Sequence, residues 1–335
     1  KDDVMGDIAR ILSFDSFEAK PINITIEHPI IQNNVLLDRR IEEYLSSRCG
    51  FYEIYTYPWI DEKYIHAAKI DISKSLKLAT PPAPSLAYLR SSLIPGMLEA
   101  IAKNLRYYNE FKLFEKAEVY QRGDYRPSSN DEILPIQKNY LTGCIVGKNA
   151  KEIFYETKGV IENMARYCHM ENIKLEKKEK PKWADINAYL NVTKDDEIIG
   201  SFGLLSVQTM SDSKIKRTNV AIFEIDSDKL NAYTSRTNKY ERLPELPLVE
   251  KDLSILVDKE VEWKTIEESI KSMVKEIEFV DEYKGNQIPS DKKSITLKVK
   301  IINESTTMTS EQINEKINHI LKVLNKKCGA ELRTE

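Results

Sequence analysis

Several protein classes are excluded by residues that this sequence lacks. Its four cysteines and four histidines are scattered over 335 residues, and no Cys-x-x-Cys pair occurs. This spacing argues against a structural zinc site and indicates reduced thiols in a cytoplasmic protein. No run of eighteen apolar residues is present, so we predict no transmembrane helix and no association with a membrane. The chain begins at Lys1 without an apolar leader, which is typical of an excised or processed piece rather than a secreted precursor.

Glycine is also scarce, and basic residues are not in excess over acidic ones. None of the 11 glycines forms a Gly-x-Gly pair, and no Gly-x-x-x-x-Gly-Lys phosphate-binding loop occurs. The formal net charge is −3, and the segment from Glu241 onward is slightly acidic as well. Any contact with nucleic acid must therefore come from a local patch, because the chain has no general basic field.

The first two thirds of the chain predict a mixed domain of helices and mainly antiparallel strands. At 335 residues, two domains are the natural expectation. Amphipathic or apolar periodicity predicts helices at 3–12, 38–48, 97–108 and 154–168. The predicted strands lie at 51–57, 111–115, 117–120, 140–147, 186–193, 197–205 and 220–226. In the first of these strands, we expect the aromatic side chains to pack on the sheet: Phe51, Tyr52, Tyr55 and Tyr57.

After a linker at about 234–249, the remaining residues predict a complete small domain. A strand at 253–258, a helix at 263–274, strands at 277–284 and 293–302, a helix at 310–326 and a strand at 330–333 follow in order. This β-α-β-β-α-β order is that of a ferredoxin-like fold. In the third strand, Ile295, Leu297, Val299 and Ile301 face one way, and Ser294, Thr296, Lys298 and Lys300 face the other. We therefore expect helices on the apolar face and an open polar face that carries lysines.

A string of short motifs runs through the whole chain. The first is the helix at 3–10, and the second is Leu-Arg-Ser-Ser-Leu-Ile-Pro-Gly-Met-Leu-Glu-Ala at 89–100. Leu-Phe-Glu at 113–115 and Phe-Tyr-Glu-Thr-Lys-Gly at 154–159 follow. The last part contains Lys-Asp-Leu at 251–253, Asp-Glu-Tyr-Lys-Gly at 281–285, Ile-Pro at 288–289, Lys-Lys-Ser at 292–294 and Leu-Arg at 332–333. This collinear string resembles the β subunit family of bacterial phenylalanyl-tRNA synthetases.

The resemblance implies an α+β fold, in which an antiparallel class II synthetase-like sheet with helices precedes a ferredoxin-like anticodon-binding domain. Residues 1–22 would end an upstream module and form a connector, 23–236 would be the degenerate synthetase-like domain, and 237–335 the anticodon-binding domain. The implied partner is a catalytic α subunit in an (αβ)2 assembly that uses ATP to charge tRNA with phenylalanine. This chain lacks the glycine-rich strand that class II chemistry needs, so we predict no catalytic residue in it.

The resemblance also places contacts to the anticodon region of tRNA in the last domain. Lysines on or near the open face are candidate phosphate ligands, and Tyr283 is a candidate stacking platform for an unpaired base. The predicted RNA-binding residues are Lys251, Tyr283, Lys284, Lys292, Lys293, Lys298, Lys300 and Arg333. As a sequence pattern alone, such an alternation of lysines is more often a solvated sheet face.

A magnesium site is implied on the first helix. Acidic residues of the family hold Mg²⁺ near the contact between the two subunits, and the matching positions here are Asp3, Gly6 and Asp7. Mg²⁺ prefers oxygen ligands, so the candidate metal ligands are Asp3 and Asp7, with Gly6 unable to contribute. The simpler interpretation is that an acidic residue near the start of a helix interacts favourably with its dipole.

Two other functions stay open. One is a free-standing, divergent relative of the β subunit that binds RNA or a protein partner without aminoacylation. It is favoured by three departures from the family pattern: Gly6, Lys251 in place of arginine, and Thr306 in place of arginine. The other is a metabolic enzyme whose ferredoxin-like domain binds an amino acid, since a fold does not fix a function.

Overall fold

The computed structural model describes residues 1–26, 28, 30, 32–124, 134–232, 246–285, 288–302 and 308–333. The chain divides into two compact units, Lys1–Thr237 and Asn238–Glu335, called unit 1 and unit 2 below. The predicted boundary at 236/237 lies outside the described residues. Among the described helices, none combines the length and the apolar character needed to cross a bilayer.

Unit 1 combines six helices with nine strands in its described part. The helices are α1 (Asp2–Leu12), α2 (Asn33–Glu43), α3 (Glu62–Ala67), α4 (Ile94–Asn104), α5 (Ala150–Cys168) and α6 (Val207–Asp212). The strands are β1 (Tyr52–Glu53), β2 (Trp59–Ile60), β3 (Tyr88–Leu89), β4 (Phe111–Asp124), β5 (Pro135–Gly147), β6 (Lys174–Glu176), β7 (Ala184–Lys194), β8 (Glu197–Leu205) and β9 (Asn219–Asp226).

A seven-stranded sheet in the order β1-β4-β5-β9-β8-β7-β6 organises this unit. Every neighbouring pair is antiparallel except β1 and β4, which run parallel. Alternate residues point to opposite faces of a strand, so both faces can be apolar where both are covered. Phe114 and Phe223 pack beneath α2 and α5 on one face, whereas Leu113 and Ile222 pack beneath α4 on the other.

The predicted strand at 51–57 is largely wrong. Only Tyr52–Glu53 is a strand, and it pairs with Leu113 and Phe114 of β4 at the edge of the sheet. Phe51 is buried against the ring of Phe223 at a centroid distance of 6.4 Å, as expected. Tyr52, Tyr55 and Tyr57 are instead 73%, 80% and 71% exposed. The aromatic run was therefore misread, because an edge strand can leave its tyrosines in solvent.

Unit 2 has the predicted order of elements, with β10 (Val249–Asp258), α7 (Trp263–Ile270), β11 (Glu276–Tyr283), β12 (Lys292–Ile301), α8 (Ser310–Cys328) and β13 (Glu331–Leu332). Its sheet runs β11-β12-β10-β13, and all its pairs are antiparallel. The inward residues of β10 and β12 form one core with Ile266, Ile270, Ile320 and Leu324 of the two helices. The predicted ferredoxin-like fold is confirmed, and burial alternates strictly along β12 from Ile295 to Ile301. At the start of the strand, Ser294 is buried as well, although its register places it on the other face.

Helix α8 has well-defined ends. The Thr309 hydroxyl accepts a hydrogen bond from the Gln312 amide, and the Gln312 side chain accepts one from the Thr309 amide. Gly329, with φ of 62°, ends the helix in the left-handed conformation that glycine adopts at little cost. Thr309 and Gln312 therefore form a capping box, and Gly329 closes the helix.

We expect Thr309→Ala to destabilise unit 2 by about 1 kcal/mol, because the first turn of α8 loses its capping oxygen. Thr309→Ser keeps that oxygen and should cost only a few tenths of this value. Urea denaturation followed by circular dichroism measures both variants. Equal losses for the two variants would contradict a role for the hydroxyl as a cap.

Candidate nucleic-acid interface and the polar cluster of the central sheet

The face of the unit 2 sheet that is not covered by helices, called the open face below, is mainly acidic. Strand register places seven carboxylates on it: Glu250, Asp252, Asp258, Glu276, Glu278, Asp281 and Glu331. Among the described residues, the cations on this face are Lys292, Lys298, Lys300 and, next to β13, Arg333. The lysine-bearing face that the sequence predicts is therefore present, but carboxylates outnumber its cations.

Two of the three lysines of the open face form ion pairs with these carboxylates. Lys300 Nζ lies 2.8 Å from Glu276 Oε2 and 2.9 Å from Glu278 Oε1, and Lys292 Nζ lies 3.2 Å from Glu331 Oε2. The two hydrogen bonds of Lys300 raise its pKa well above its usual value. Lys298 stands in register between Asp252 and Glu278. A phosphate that approached this face would meet a surface whose carboxylates outnumber its lysines.

Two of the predicted RNA-binding lysines flank Glu282 instead. The Lys293 side chain, with only 7% of the residue exposed, lies 3.4 Å from Glu282, and Lys284 lies 2.6 Å from the same carboxylate. Burial raises the pKa of Glu282, but the two lysines outweigh it and hold the pKa below its usual range. Lys251 is exposed and has the same strand parity as buried Leu253, so it belongs to the opposite face of the sheet.

Tyr283 and Arg333 meet on the open face. The Arg333 guanidinium lies 5.4 Å from the centroid of the Tyr283 ring, and the tyrosine is 38% exposed. In the floor of the same face, the hydroxyls of Ser254 and Thr296 are 3.0 Å apart. Such a guanidinium–aromatic contact offers a flat, adaptable surface on which a nucleobase can stack.

Five of the eight predicted RNA-binding residues thus share one face. They are Tyr283, Lys292, Lys298, Lys300 and Arg333. The sequence did not indicate the carboxylates between them, because those come from three other strands and only the register brings them together. Thr306, where the family pattern has arginine, lies outside the described residues. The RNA-binding assignment itself stays a prediction.

The candidate metal ligands on α1 lie in solvent. Asp3 and Asp7 are both exposed, and Asp7 pairs with Arg10 at 3.5 Å. Within the described ranges, no group of three or more acidic, histidine or cysteine side chains is arranged to hold a metal ion. Two carboxylates supply only a share of the oxygen ligands that Mg²⁺ needs, so the assignment of Asp3 and Asp7 stays a prediction.

Unit 1 contains a buried ion pair between Arg90 and Glu115. Arg90 Nη1 lies 3.0 Å from Glu115 Oε1, and the residues are 7% and 1% exposed. The same guanidinium donates to the carbonyl oxygens of Glu118 at 2.7 Å and Thr56 at 3.2 Å. The Thr56 amide and hydroxyl in turn donate to Glu115. Arg90 is thus engaged by the protein itself.

A second polar group lies further along the same face of the sheet. Glu224 on β9 accepts hydrogen bonds from the Ser92 hydroxyl at 2.8 Å and the Leu93 amide at 2.6 Å, just before α4. Burial raises the pKa of Glu224 to about 7, although these hydrogen bonds act in the opposite direction. Glu224 was not predicted from the sequence, where its one signal is a glutamate inside the apolar run Val-Ala-Ile-Phe-Glu-Ile at 220–225.

Two family models match this combination of a synthetase-like sheet and a ferredoxin-like domain. Residues 23–227 match the phenylalanyl tRNA synthetase beta chain CLM domain, and residues 244–333 match the ferredoxin-fold anticodon binding domain. The chain is therefore of the class that carries an anticodon-binding domain behind a synthetase-type α+β domain. It belongs to the phenylalanyl-tRNA synthetase β-chain family.

Curated relatives agree with this assignment. The chain is 26% identical over 343 residues to the phenylalanine–tRNA ligase beta subunit of Clostridium acetobutylicum, and 27% identical to those of Carboxydothermus hydrogenoformans and Geobacillus kaustophilus. Each match covers 99% of this chain and 42% of the relative, so the chain spans less than half the length of these proteins. A solved pyrrolysyl-tRNA synthetase from Desulfitobacterium hafniense matches 57% of this chain and 65% of its own, at 16% identity and a TM-score of 0.45.

We expect Arg90→Met to destabilise unit 1 by about 3–5 kcal/mol, because Glu115 is left as a buried charge without its partner. The double variant with Glu115→Gln should recover much of this loss, since the buried charge is then removed as well. The free energy of unfolding in urea measures both.

The control is Lys103→Met, which removes an exposed ion pair of 2.9 Å with Glu99 on α4. Its cost should stay below about 0.5 kcal/mol. If Arg90→Met cost no more than this control, the buried pair would not hold the sheet and its neighbours together.

Proposed function

We propose that this chain is part of the β subunit of a phenylalanine–tRNA ligase and is not catalytic by itself. In this proposal it packs on a catalytic α subunit in an (αβ)2 assembly, and unit 2 binds the anticodon region of tRNA. The assembled enzyme charges tRNA with phenylalanine at the expense of ATP, in the cytoplasm. The observation that carries the proposal is the order of the two matched domains within one chain.

ATP and Mg²⁺ belong to the α subunit in this proposal. Arg90, within the motif at 89–100, is buried and donates hydrogen bonds to Glu115, Thr56 and Glu118, so it is not presented to a phosphate in solvent. Asp3 and Asp7 would at most complete a magnesium site whose other ligands come from elsewhere. This chain would thus contribute binding surface and position rather than reacting groups.

The charge of the open face favours contacts to bases over contacts to phosphates. Its carboxylates repel a phosphate backbone, yet they accept hydrogen bonds from the amino and imino groups of base edges. Asp281 faces the same side as Tyr283, whose ring can stack on a neighbouring base. Bases splayed out of a single-stranded loop present both their faces and their edges, which is how proteins read RNA sequence. An anticodon loop supplies such bases.

We expect Tyr283→Ala to weaken binding of a tRNA-Phe transcript by about tenfold to a hundredfold, since one stacked base is worth about 1–3 kcal/mol. The measurement is filter binding to the 335-residue chain at fixed salt. Tyr107→Ala, at a tyrosine of unit 1 that is 79% exposed, serves as the control and should leave the affinity unchanged.

The salt dependence gives an independent readout. Because few phosphates would be neutralised, the logarithm of the binding constant should fall only shallowly with the logarithm of the salt concentration, by a slope of about −2 or less in magnitude. A steep slope, together with full affinity of the Tyr283 variant, would show that RNA binds to another surface.

The proposed contact with the α subunit involves the tyrosines next to β1. This short strand is the free edge of the seven-stranded sheet, and Tyr52, Tyr55 and Tyr57 are largely exposed beside it. The Tyr57 ring stacks on Trp59 at 4.8 Å, which fixes its position. Exposed edges and aromatic patches are sites at which other chains associate.

We expect Tyr55→Glu to reduce recovery of the co-expressed α subunit by tenfold or more, because it places a charge in an aromatic contact. Tyr155→Glu, at an exposed residue of α5, is the matched control and should not change the recovery. Affinity purification of the β subunit followed by quantification of α measures both.

The same experiment separates the main alternative. A free-standing relative that binds RNA or another protein without aminoacylation would bind tRNA, yet it would not recover the α subunit encoded by the same genome. Recovery of α together with phenylalanine charging by the complex would exclude that alternative.

A further inference from the structure

A cavity of about 370 Å³ opens on the sheet of unit 1 beside Glu224. Strands β5, β8 and β9 form its floor, and Pro181 and Trp183, just before β7, form part of its wall. This volume is at the small end of the range that protein sites for small molecules occupy.

Most of the charges around this cavity neutralise one another. Lys229 pairs with Glu197 at 3.2 Å, and Lys138 lies 3.9 Å from Asp226. Glu224 differs from them. Its hydrogen-bond donors are neutral, namely the Ser92 hydroxyl and the amides of Leu93 and Ile94, and no lysine or arginine of the described ranges pairs with it. When it is ionised, the cavity therefore holds one carboxylate that lacks a counter-cation.

The remaining lining suits an organic cation. Trp183 and Tyr140 bring aromatic rings to the cavity, and aromatic faces attract cations that are withdrawn from water. The Ser201 hydroxyl stands opposite Glu224 in the strand register, and Asp226 is two residues further on. An ammonium group has three donors, and Glu224, Ser201 and Asp226 offer it three acceptors on one side of the sheet.

We propose that this cavity binds a small molecule with a primary ammonium group, which Glu224 pairs with and Trp183 and Tyr140 flank. This site is separate from the open face of unit 2 and does not depend on tRNA binding. It gives a second role to a carboxylate that already accepts hydrogen bonds at the start of α4 and that the proposed function does not use.

The test uses n-butylammonium as the probe and the uncharged n-butanol as its counterpart. Titration of the 335-residue chain is followed by NMR of the indole N–H groups, of which the chain has three. Butylammonium should shift the Trp183 signal and leave those of Trp59 and Trp263 in place, whereas butanol should bind at least tenfold more weakly.

Glu224→Gln should weaken butylammonium binding at least tenfold. Its amide oxygen can still accept from Leu93, which favours retention of the fold, and a melting curve checks this. Glu99→Gln on the solvent side of α4 is the matched control and should bind like the unaltered chain.

A pH series keeps the proposal testable even if the Glu224 variant fails to fold. The pKa of Glu224 is raised to about 7, so the residue is mostly neutral at pH 5 and mostly ionised at pH 8. The ammonium stays protonated throughout this range. Binding at pH 8 should thus be at least tenfold tighter than at pH 5. The other titratable or charged groups that face this carboxyl or its cavity are Lys138, Tyr140, Glu197, Asp226, Asp228 and Lys229.

Three outcomes would overturn the proposal. They are equal binding of butylammonium and butanol, an unshifted Trp183 signal at saturation, and an affinity that does not change between pH 5 and pH 8. Tighter binding of a lysine-containing tripeptide amide than of butylammonium would overturn the assignment to a free small molecule, because the cation would then be a protein side chain.

Discussion

The ion pair between Arg90 and Glu115 fixes the part of unit 1 on which its other features depend. One guanidinium joins three pieces of chain: the segment after β1 through Thr56, strand β4 through Glu115 and Glu118, and the segment that leads into α4. Both charges are removed from water, so neither tolerates the loss of the other. The positions of the edge tyrosines and of the α4 N-terminus both follow from this arrangement.

The same constraint explains why a glutamate is tolerated inside the sheet. Helix α4 covers only part of one face of the sheet. Beyond the N-terminus of α4, polar side chains of the strands each need a hydrogen-bond partner. Glu224 meets this requirement by accepting hydrogen bonds from the Ser92 hydroxyl and the Leu93 amide. The ion pair between Arg90 and Glu115 holds this segment nearby. Burial is incomplete there, which leaves the cavity beside Tyr140 and Trp183 open to solvent.

The sequence predicted the fold of unit 2 well, since its signals are local. Strict alternation in β12, the capping box of α8 and Gly329 each fix one element without reference to distant residues. The charge of the open face was not predictable in the same way. Lys298 and Lys300 stand on one strand, but Asp252 and Glu278, which oppose Lys298, come from two others and meet it only through the register. In unit 1, the edge tyrosines were misread for a related reason: strand propensity does not say whether a neighbour covers the side chain.

The acidic open face changes how a nucleic acid can be held. Lysines that are already paired with carboxylates neutralise few phosphates. Few counterions then leave the nucleic acid, so these lysines add little affinity. Carboxylates, hydroxyls and a tyrosine ring discriminate between bases instead, because an unmatched polar group is costly. Such a surface selects among RNA loops without attracting them from a distance. In a larger assembly, the attraction can come from other surfaces that hold the tRNA backbone, and unit 2 then needs only to tell one loop from another. The slightly acidic charge balance of this chain is therefore compatible with an anticodon-binding domain that discriminates between RNA loops and is not the main source of affinity.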